Sequence, residues 1–334
     1  MATNSMKALQ LTRAAANTPP SLAKKTLPLP HLEPGFALVQ IKYASIQPSD
    51  RMNAKGLFPY TTYPRVPGRD YSGIVIDIAG ETGELSSWIG KSVYGTSGPT
   101  LGFSVDGTHA QYCLIPINAL VEKPKSLSHI QAATVGVPFT TALLCLRRAQ
   151  VNEKDVVLVL GSSGAVGSAA VQMAKAMGAK QVLSAARNKN SNPDIVLAAE
   201  DIPSLLKDRV SDLTNGHGVD VVIDTVGDLA LMSGALEQLA LNGRYAWIAA
   251  PRGDVDTTMP LDIFQAYRKG ISLLGCNSII PSLQEMAEQL RFMDNWIDQG
   301  LLKAQNEADF AKVKLDDAIH DGYEKTGKVV IDIA

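Results

Sequence analysis

The sequence predicts an α/β chain with a doubly wound parallel sheet and a second, β-rich domain. Three observations predict it. From Ser126 onward, apolar strand-like runs alternate with helical stretches, the pattern of parallel strands joined by helical crossovers. Gly161, Gly164 and Gly167 form a GxxGxxG turn between one such strand and the next helix. Residues 1–125 instead hold many of the prolines and glycines around short strand-like runs.

In chain order, Ala37–Tyr43 and Gly73–Ala79 read as strands with irregular connections. Ile130–Leu146 is apolar and long enough for a buried helix. Val156–Leu160 is a continuous apolar run, as expected of a strand covered on both faces. Residues 164–177 carry Val166, Ala170, Val171, Ala174 and Met177 at helical spacing and stop at Gly178. Val182–Ala186, Val219–Asp224, Arg244–Ala249 and Ile271–Cys276 follow as strands. Ser282 and Glu285 form a Ser-x-x-Glu capping box ahead of Leu283, Met286, Ala287, Leu290, Met293 and Ile297, with Gly300 as the stop. Lys328–Ile333 closes the chain as a strand. A lone terminal strand needs a host, so the β-rich domain is expected to be discontinuous.

The length of 334 residues suits two domains. A hydrophobic fraction of 46% with 19% charged residues argues against a disordered chain. The net charge of −2 offers no phosphate-tracking field, so no nucleic-acid partner is expected. Cys113, Cys145 and Cys276 lie far apart, which fits a reducing compartment and no disulfide scaffold. Met1–Pro20 lacks the apolar core of a signal peptide. The charge-free run Val156–Ala174 approaches the length of a membrane helix, but Gly161, Ser162, Ser163, Gly164, Gly167 and Ser168 break it. A cytoplasmic protein with no membrane partner is the expectation.

The glycine turn is the most informative segment. Glycines there permit a tight turn and close approach of a phosphate to the backbone, and the helix N-terminus adds unpaired N–H groups and a positive dipole end. Gly161, Ser162, Ser163, Gly164, Ala165 and Val166 are the expected cofactor contacts. A packing turn without a ligand is the alternative. Cofactor choice is read one strand later, where an NAD site places an acid about 20 residues past the glycines. Here Gln181–Ala186 ends without one, and Arg187, Asn188 and Lys189 follow. A cation pair suits a 2′-phosphate, so NADPH is the expected cofactor.

The chain resembles the zinc-independent quinone oxidoreductases of the medium-chain dehydrogenase/reductase superfamily. The likeness runs through YASIQPSD (43–50), PGRDYSGIV (67–75), DGTHAQY (106–112), AATVGVPFTTAL (132–143), the glycine turn, GVDVVIDTVG (218–227) and GKVVIDI (327–333). It implies a GroES-like catalytic domain over residues 1–125 and 279–334, and a Rossmann domain over 126–278. It also implies a nicotinamide cleft between the domains and a homodimer built on the nucleotide domains. Further cofactor contacts implied are Thr141, Ile248, Ala249, Asn277 and Lys328.

Zinc-dependent relatives place a Cys where Gln47 stands and a His where Arg69 stands. A neutral amide is a poor zinc ligand and a guanidinium is a cation, and residues 84–115 hold only Cys113, so no metal site is expected. Without a Lewis acid, oxidation of a simple alcohol gives way to reduction of an α,β-unsaturated carbonyl (enone) or quinone. Gln47 is expected to sit beside the nicotinamide and donate a hydrogen bond. Relatives often carry tyrosines where Met52 and Phe58 stand, which makes this pocket more apolar and leaves Tyr60 or Tyr63 as substitutes. Gln47 and Tyr60 are therefore the catalytic candidates. Asp50, Arg69 and Asp70 read as an ion-pair and hydrogen-bond set, and His109 as a core or edge histidine. Residues 187–200 are about ten residues shorter than the family's usual helix after the cofactor-reading loop. A trans-acting enoyl reductase of a lipid or polyketide pathway, a non-redox NADP(H)-binding protein and a cyclising scaffold stand as rival readings.

Overall fold

The computed structural model describes residues 4–80, 83–198, 200–253 and 255–333. The chain divides into two units, Met1–Val137 with Ile279–Gln299 and Lys303–Ala334, and Pro138–Ser278 with Gly300–Leu302.

In the first unit β1 (Ser5–Thr12) and β2 (Ser21–Pro28) form an antiparallel pair. There follow β3 (Phe36–Ile46), α1 (Pro48–Ala54), β4 (Tyr71–Ile78), β5 (Ser92–Gly95), β6 (Tyr112–Pro116) and β7 (Val121–Glu122). Helix α2 (His129–Arg148) runs from this unit into the second. The second unit alternates β8 (Val156–Leu160), α3 (Ala165–Ala176), β9 (Gln181–Ala186), β10 (Ile195–Val196), α4 (Ile202–Thr214), β11 (Val219–Asp224), α5 (Leu229–Glu237), β12 (Leu239–Trp247), α6 (Ile263–Lys269) and β13 (Ser272–Gly275). The chain then returns to the first unit with α7 (Leu283–Asp298), β14 (Ala311–Lys314) and β15 (Val329–Asp332).

β3 organises the first unit because its length lets one edge serve two strands. β6 pairs with Phe36–Gln40 and β15 with Tyr43–Ile46, while β4 occupies the other edge. The C-terminal strand thus finds its host in the N-terminal region, and Val329, Val330 and Ile331 are buried there. Ser282 accepts from the Glu285 N–H, and the Glu285 carboxylate accepts from the Ser282 N–H, so α7 starts on the expected capping box.

The second unit's sheet runs β10-β9-β8-β11-β12-β13, all parallel. All five residues of β8 are buried, as its unbroken apolar run requires. The inner face of α3 is built from Gly167, Ala169, Ala170, Met173 and Ala174, while Val166, Val171 and Met177 are half-buried. Small residues on that face let the helix lie close to the sheet. β12 starts at Leu239, ahead of the apolar run at Arg244, because it bends through Asn242 at a φ of 59° and the pairing with β11 shifts register. Between β9 and β10 a single 3₁₀ turn, Lys189–Ser191, stands in place of an α-helix. α2 is long and apolar enough to cross a membrane, but 78% of its apolar window is buried, as in a core helix. Val156–Ala174 forms β8, the glycine turn and most of α3.

Candidate active site

The candidate residues form two constellations, each described within its own unit. In the second unit, β8 ends at Leu160 and Gly161 turns the chain at a φ of 79°. The Gly161 and Ser162 N–H groups both donate to the Ala185 carbonyl on β9, at 2.9 and 3.0 Å. Gly164 is the N-cap of α3 and supplies no side-chain cap, so the first N–H groups of the helix, from Ala165 on, keep their hydrogen-bonding capacity for a ligand. A Cβ on Gly167 would lie 2.2 Å from the Gly161 carbonyl oxygen, so the turn closes only around glycine.

A cavity of about 700 Å³ opens at this turn. Gly161, Ser163, Gly164, Arg187 and Asn188 line it, five of the residues expected from the sequence. Ser162, Ala165 and Val166 belong to the same turn and helix start without lining the cavity. Lys189 is exposed and opens the 3₁₀ turn. The Asn188 side-chain oxygen caps that turn, accepting from the Asn190 N–H at 3.0 Å. Arg187 is exposed, and among the described residues no hydrogen bond or ion pair holds its guanidinium.

Sequence reasoning missed the other wall: Leu197, Ile202, Thr225, Val226, Asp228 and Leu231. Asp224 shapes this wall. Its buried carboxylate accepts from the Val226 and Gly227 N–H groups and from the Tyr245 hydroxyl, and burial raises its pKa. Ile248 and Ala249 are half-buried just past β12, and Asn277 is exposed just past β13. Thr141 lies on α2, 3% exposed, and its hydroxyl has no hydrogen-bond partner among the described residues.

In the first unit, Gln47 precedes α1 and is held on both sides by acids. Its backbone N–H donates to Asp50 at 2.8 Å. Its side-chain Nε2 donates to Asp70 and to Ser45 Oγ, each at 2.9 Å. Both amide protons are thus committed within the first unit. Asp70 also accepts from the Val137 N–H in α2, at 2.9 and 3.0 Å. Arg69 is 1% exposed and donates to the Ser97 carbonyl at 3.3 Å and to Ser49 Oγ at 2.6 Å. No carboxylate lies within ion-pair distance of Arg69 among the described residues, so the expected set is one of hydrogen bonds, not of direct ion pairs.

Burial raises the pKa of Asp50 to about 6 and that of Asp70 to about 6, against the opposing charge of Arg69. The folded state therefore holds protons that the unfolded chain has released, and the stability owed to these groups falls as pH rises from about 4 to about 6. Asp70→Asn should accordingly gain on the wild type by about 1 kcal/mol between about pH 5 and pH 7. Urea unfolding at both pH values checks this; a gap that does not move with pH refutes it.

Phe58, Tyr60 and Phe103 form an aromatic cluster with ring centroids 5.2–5.6 Å apart. Tyr60 is 41% exposed, and its hydroxyl has no hydrogen-bond partner among the described residues. The Tyr63 hydroxyl is buried instead, with Arg13 over its ring. His109 is fully buried: Nδ1 accepts from the Tyr323 hydroxyl, Nε2–H donates to the Ser45 carbonyl, and burial lowers its pKa to about 4. Lys328 is half-buried, its Nζ 6.0 Å from the centre of the Phe310 ring.

Two family models match the chain, an alcohol dehydrogenase GroES-like domain over residues 33–125 and a zinc-binding dehydrogenase over residues 165–295. A zinc-type alcohol dehydrogenase-like protein of Schizosaccharomyces pombe is 43% identical over 321 residues, 96% of this chain and 93% of that protein. The chain belongs to the medium-chain dehydrogenase/reductase superfamily. Within the superfamily, a quinone oxidoreductase of Sus scrofa is 28% identical over 264 residues, covering 76% of this chain and 74% of that one. The structure of an alcohol dehydrogenase superfamily protein from Novosphingobium aromaticivorans matches with a TM-score of 0.80 at 25% identity, covering 98% of this chain and all of that one. The chain is an oxidoreductase of a superfamily that binds a nicotinamide cofactor.

The glycine cradle, the cavity beside it and the exposed Arg187 fit such a cofactor. Zinc does not fit at Gln47 and Arg69. One is a neutral amide, whose oxygen is a poor zinc ligand, and the other is a cation.

Proposed function

We propose that the chain is an NADPH-dependent reductase of conjugated carbonyl compounds or quinones that works without a metal. The observation that carries this is the donor set of the first unit. A guanidinium and a neutral amide, each hydrogen-bonded within the unit, stand where zinc-dependent relatives are expected to carry His and Cys. An alcohol must be ionised before it can lose hydride, which is the service a metal performs. A conjugated acceptor spreads the incoming negative charge to oxygen and needs only a nearby donor. The half-exposed Tyr60 hydroxyl is that donor. The similarity to quinone oxidoreductases supports the same reading.

A bound reduced nicotinamide would supply the hydride. The chain's own residues provide the rest. The α3 N-terminus and the glycine turn would hold the pyrophosphate, Arg187 would select the 2′-phosphate, and Leu197 and Ile202 offer an apolar wall. In the first unit, Phe58 and Phe103 give Tyr60 an apolar setting.

NADPH oxidation against quinones, enones and enoyl thioesters, before and after dialysis with a zinc chelator, tests the proposal. The rate should change by less than about twofold on chelation, where a catalytic metal would be indispensable. Activity that disappears and returns only with zinc refutes the metal-free reading. NADPH binding without turnover of any acceptor refutes the redox one.

A further inference from the structure

We propose that Arg69 is a positioning residue whose buried charge stabilises the phenolate left when Tyr60 gives its proton to the acceptor oxygen. This rests on the reductase reading and gives a cation of the chain the electrostatic part that a metal plays elsewhere.

Arg69 is 1% exposed, yet its guanidinium has no direct carboxylate partner among the described residues. Its two terminal nitrogens donate to neutral oxygens of Ser49 and Ser97, and its Nε has no partner among the described residues. A buried cation held by neutral groups projects its field through a low-dielectric interior onto its surroundings. Those surroundings are named by geometry. The guanidinium carbon is 5.6 Å from the centre of the Phe103 ring, and that ring is 5.3 Å from Tyr60.

Three acidic groups feel the charge: Asp50, Asp70 and Tyr60. Asp50 and Asp70 are buried and bonded to Gln47, so neither offers a proton at the surface. Tyr60 is half-exposed with no hydrogen-bond partner among the described residues, and the charge of Arg69 acts on it. Burial raises the pKa of the phenol and Arg69 opposes that rise.

The step balances. The acceptor gains hydride at its electrophilic carbon as the reduced nicotinamide is oxidised. The Tyr60 O–H bond breaks and an O–H bond forms on the acceptor oxygen. The phenolate then takes a proton from water on its exposed side. Arg69 acts on the charge that develops on Tyr60 and touches neither reactant, hence its positioning role.

The test combines a titration with kinetics. Ultraviolet difference titration of the wild type against Tyr60→Phe isolates the Tyr60 phenolate. Its midpoint should rise by about one pH unit in Arg69→Met and return most of the way in Arg69→Lys. With NADPH and a conjugated acceptor, Arg69→Met should lower kcat by about tenfold or more and change the KM for NADPH by less than about twofold. In a Tyr60→Phe background the same substitution should cost less than about twofold. If Arg69→Met does not fold, Arg69→Gln, which keeps donors for Ser49 and Ser97, carries the same measurements.

An unmoved phenol midpoint overturns the proposal. So does an Arg69 effect that is equally large without the Tyr60 hydroxyl. A wild type that reduces no acceptor overturns the reductase reading and the catalytic role with it. The titration needs no turnover, so it separates that failure from a failure of Arg69 to act on Tyr60.

Discussion

Replacing Arg187 with alanine should raise the KM for NADPH by about 30-fold, close to 2 kcal/mol, and leave that for NADH nearly unchanged. Arg187 follows the last residue of β9 and lines the cavity at the glycine turn. Its guanidinium has no partner among the described residues, so none of their bonds must break before it grips an anion. The loop beneath it is built to stay in place. Asn188 caps the 3₁₀ turn, and Asn192 closes it in the left-handed conformation. A charge-assisted fork of N–H donors to a 2′-phosphate is worth more than a neutral hydrogen bond, and NADH has no such phosphate. Because Arg187 is exposed, the effect should shrink as salt is added. Steady-state kinetics with both cofactors at two ionic strengths checks all three points. Equal losses for NADPH and NADH would place Arg187 elsewhere on the cofactor and leave the preference to another residue.

How much of this was legible in the sequence depends on whether the physical cause is local. The β8–α3 turn was legible because glycine spacing has a steric cause within seven residues, Gly161 to Gly167. The α7 start was legible because Ser282 and Glu285 satisfy each other's backbone three residues apart. The cavity's second wall was not. Leu197, Ile202, Thr225, Val226, Asp228 and Leu231 come from separate connections and helix starts, and only the strand order β10-β9-β8-β11 gathers them. The partners of Gln47 were hidden for the same reason, since the carboxylate that accepts from its amide lies 23 residues away. Arg69 and Asp70 suggest an ion pair by adjacency, but each spends its hydrogen bonds on other segments. The extra length of β12 was hidden because Asn242 and Gly243 look like a turn and in fact sit at a bend inside a strand.

The opposite pattern is expected of Gly167→Ala, which should weaken NADPH and NADH alike by about 100-fold or more, the scale of a lost set of charge-assisted bonds. The added Cβ would lie 2.2 Å from the Gly161 oxygen, 2.7 Å from its carbonyl carbon and 3.0 Å from the Ser162 Cα. These are backbone atoms, so no side chain can rotate away. The Gly161–Ser162 backbone cannot easily retreat either, because both N–H groups are tied to the Ala185 carbonyl. The start of α3 must therefore lift from the sheet, opening the cradle that faces the pyrophosphate. Overpacking of this kind costs about 1–3 kcal/mol in stability, which urea unfolding would show. Gly178→Ala is the control. Gly178 has a left-handed φ, 81°, which Gly167 does not, but a Cβ there meets nothing within 4 Å. It should lose about 1 kcal/mol to backbone strain and bind both cofactors normally. Calorimetry on the two variants then separates a general cost of alanine at a glycine from a specific closure of the phosphate site. Near-normal binding by Gly167→Ala would mean that the cofactor does not depend on the tight turn, and the glycines would revert to a packing role.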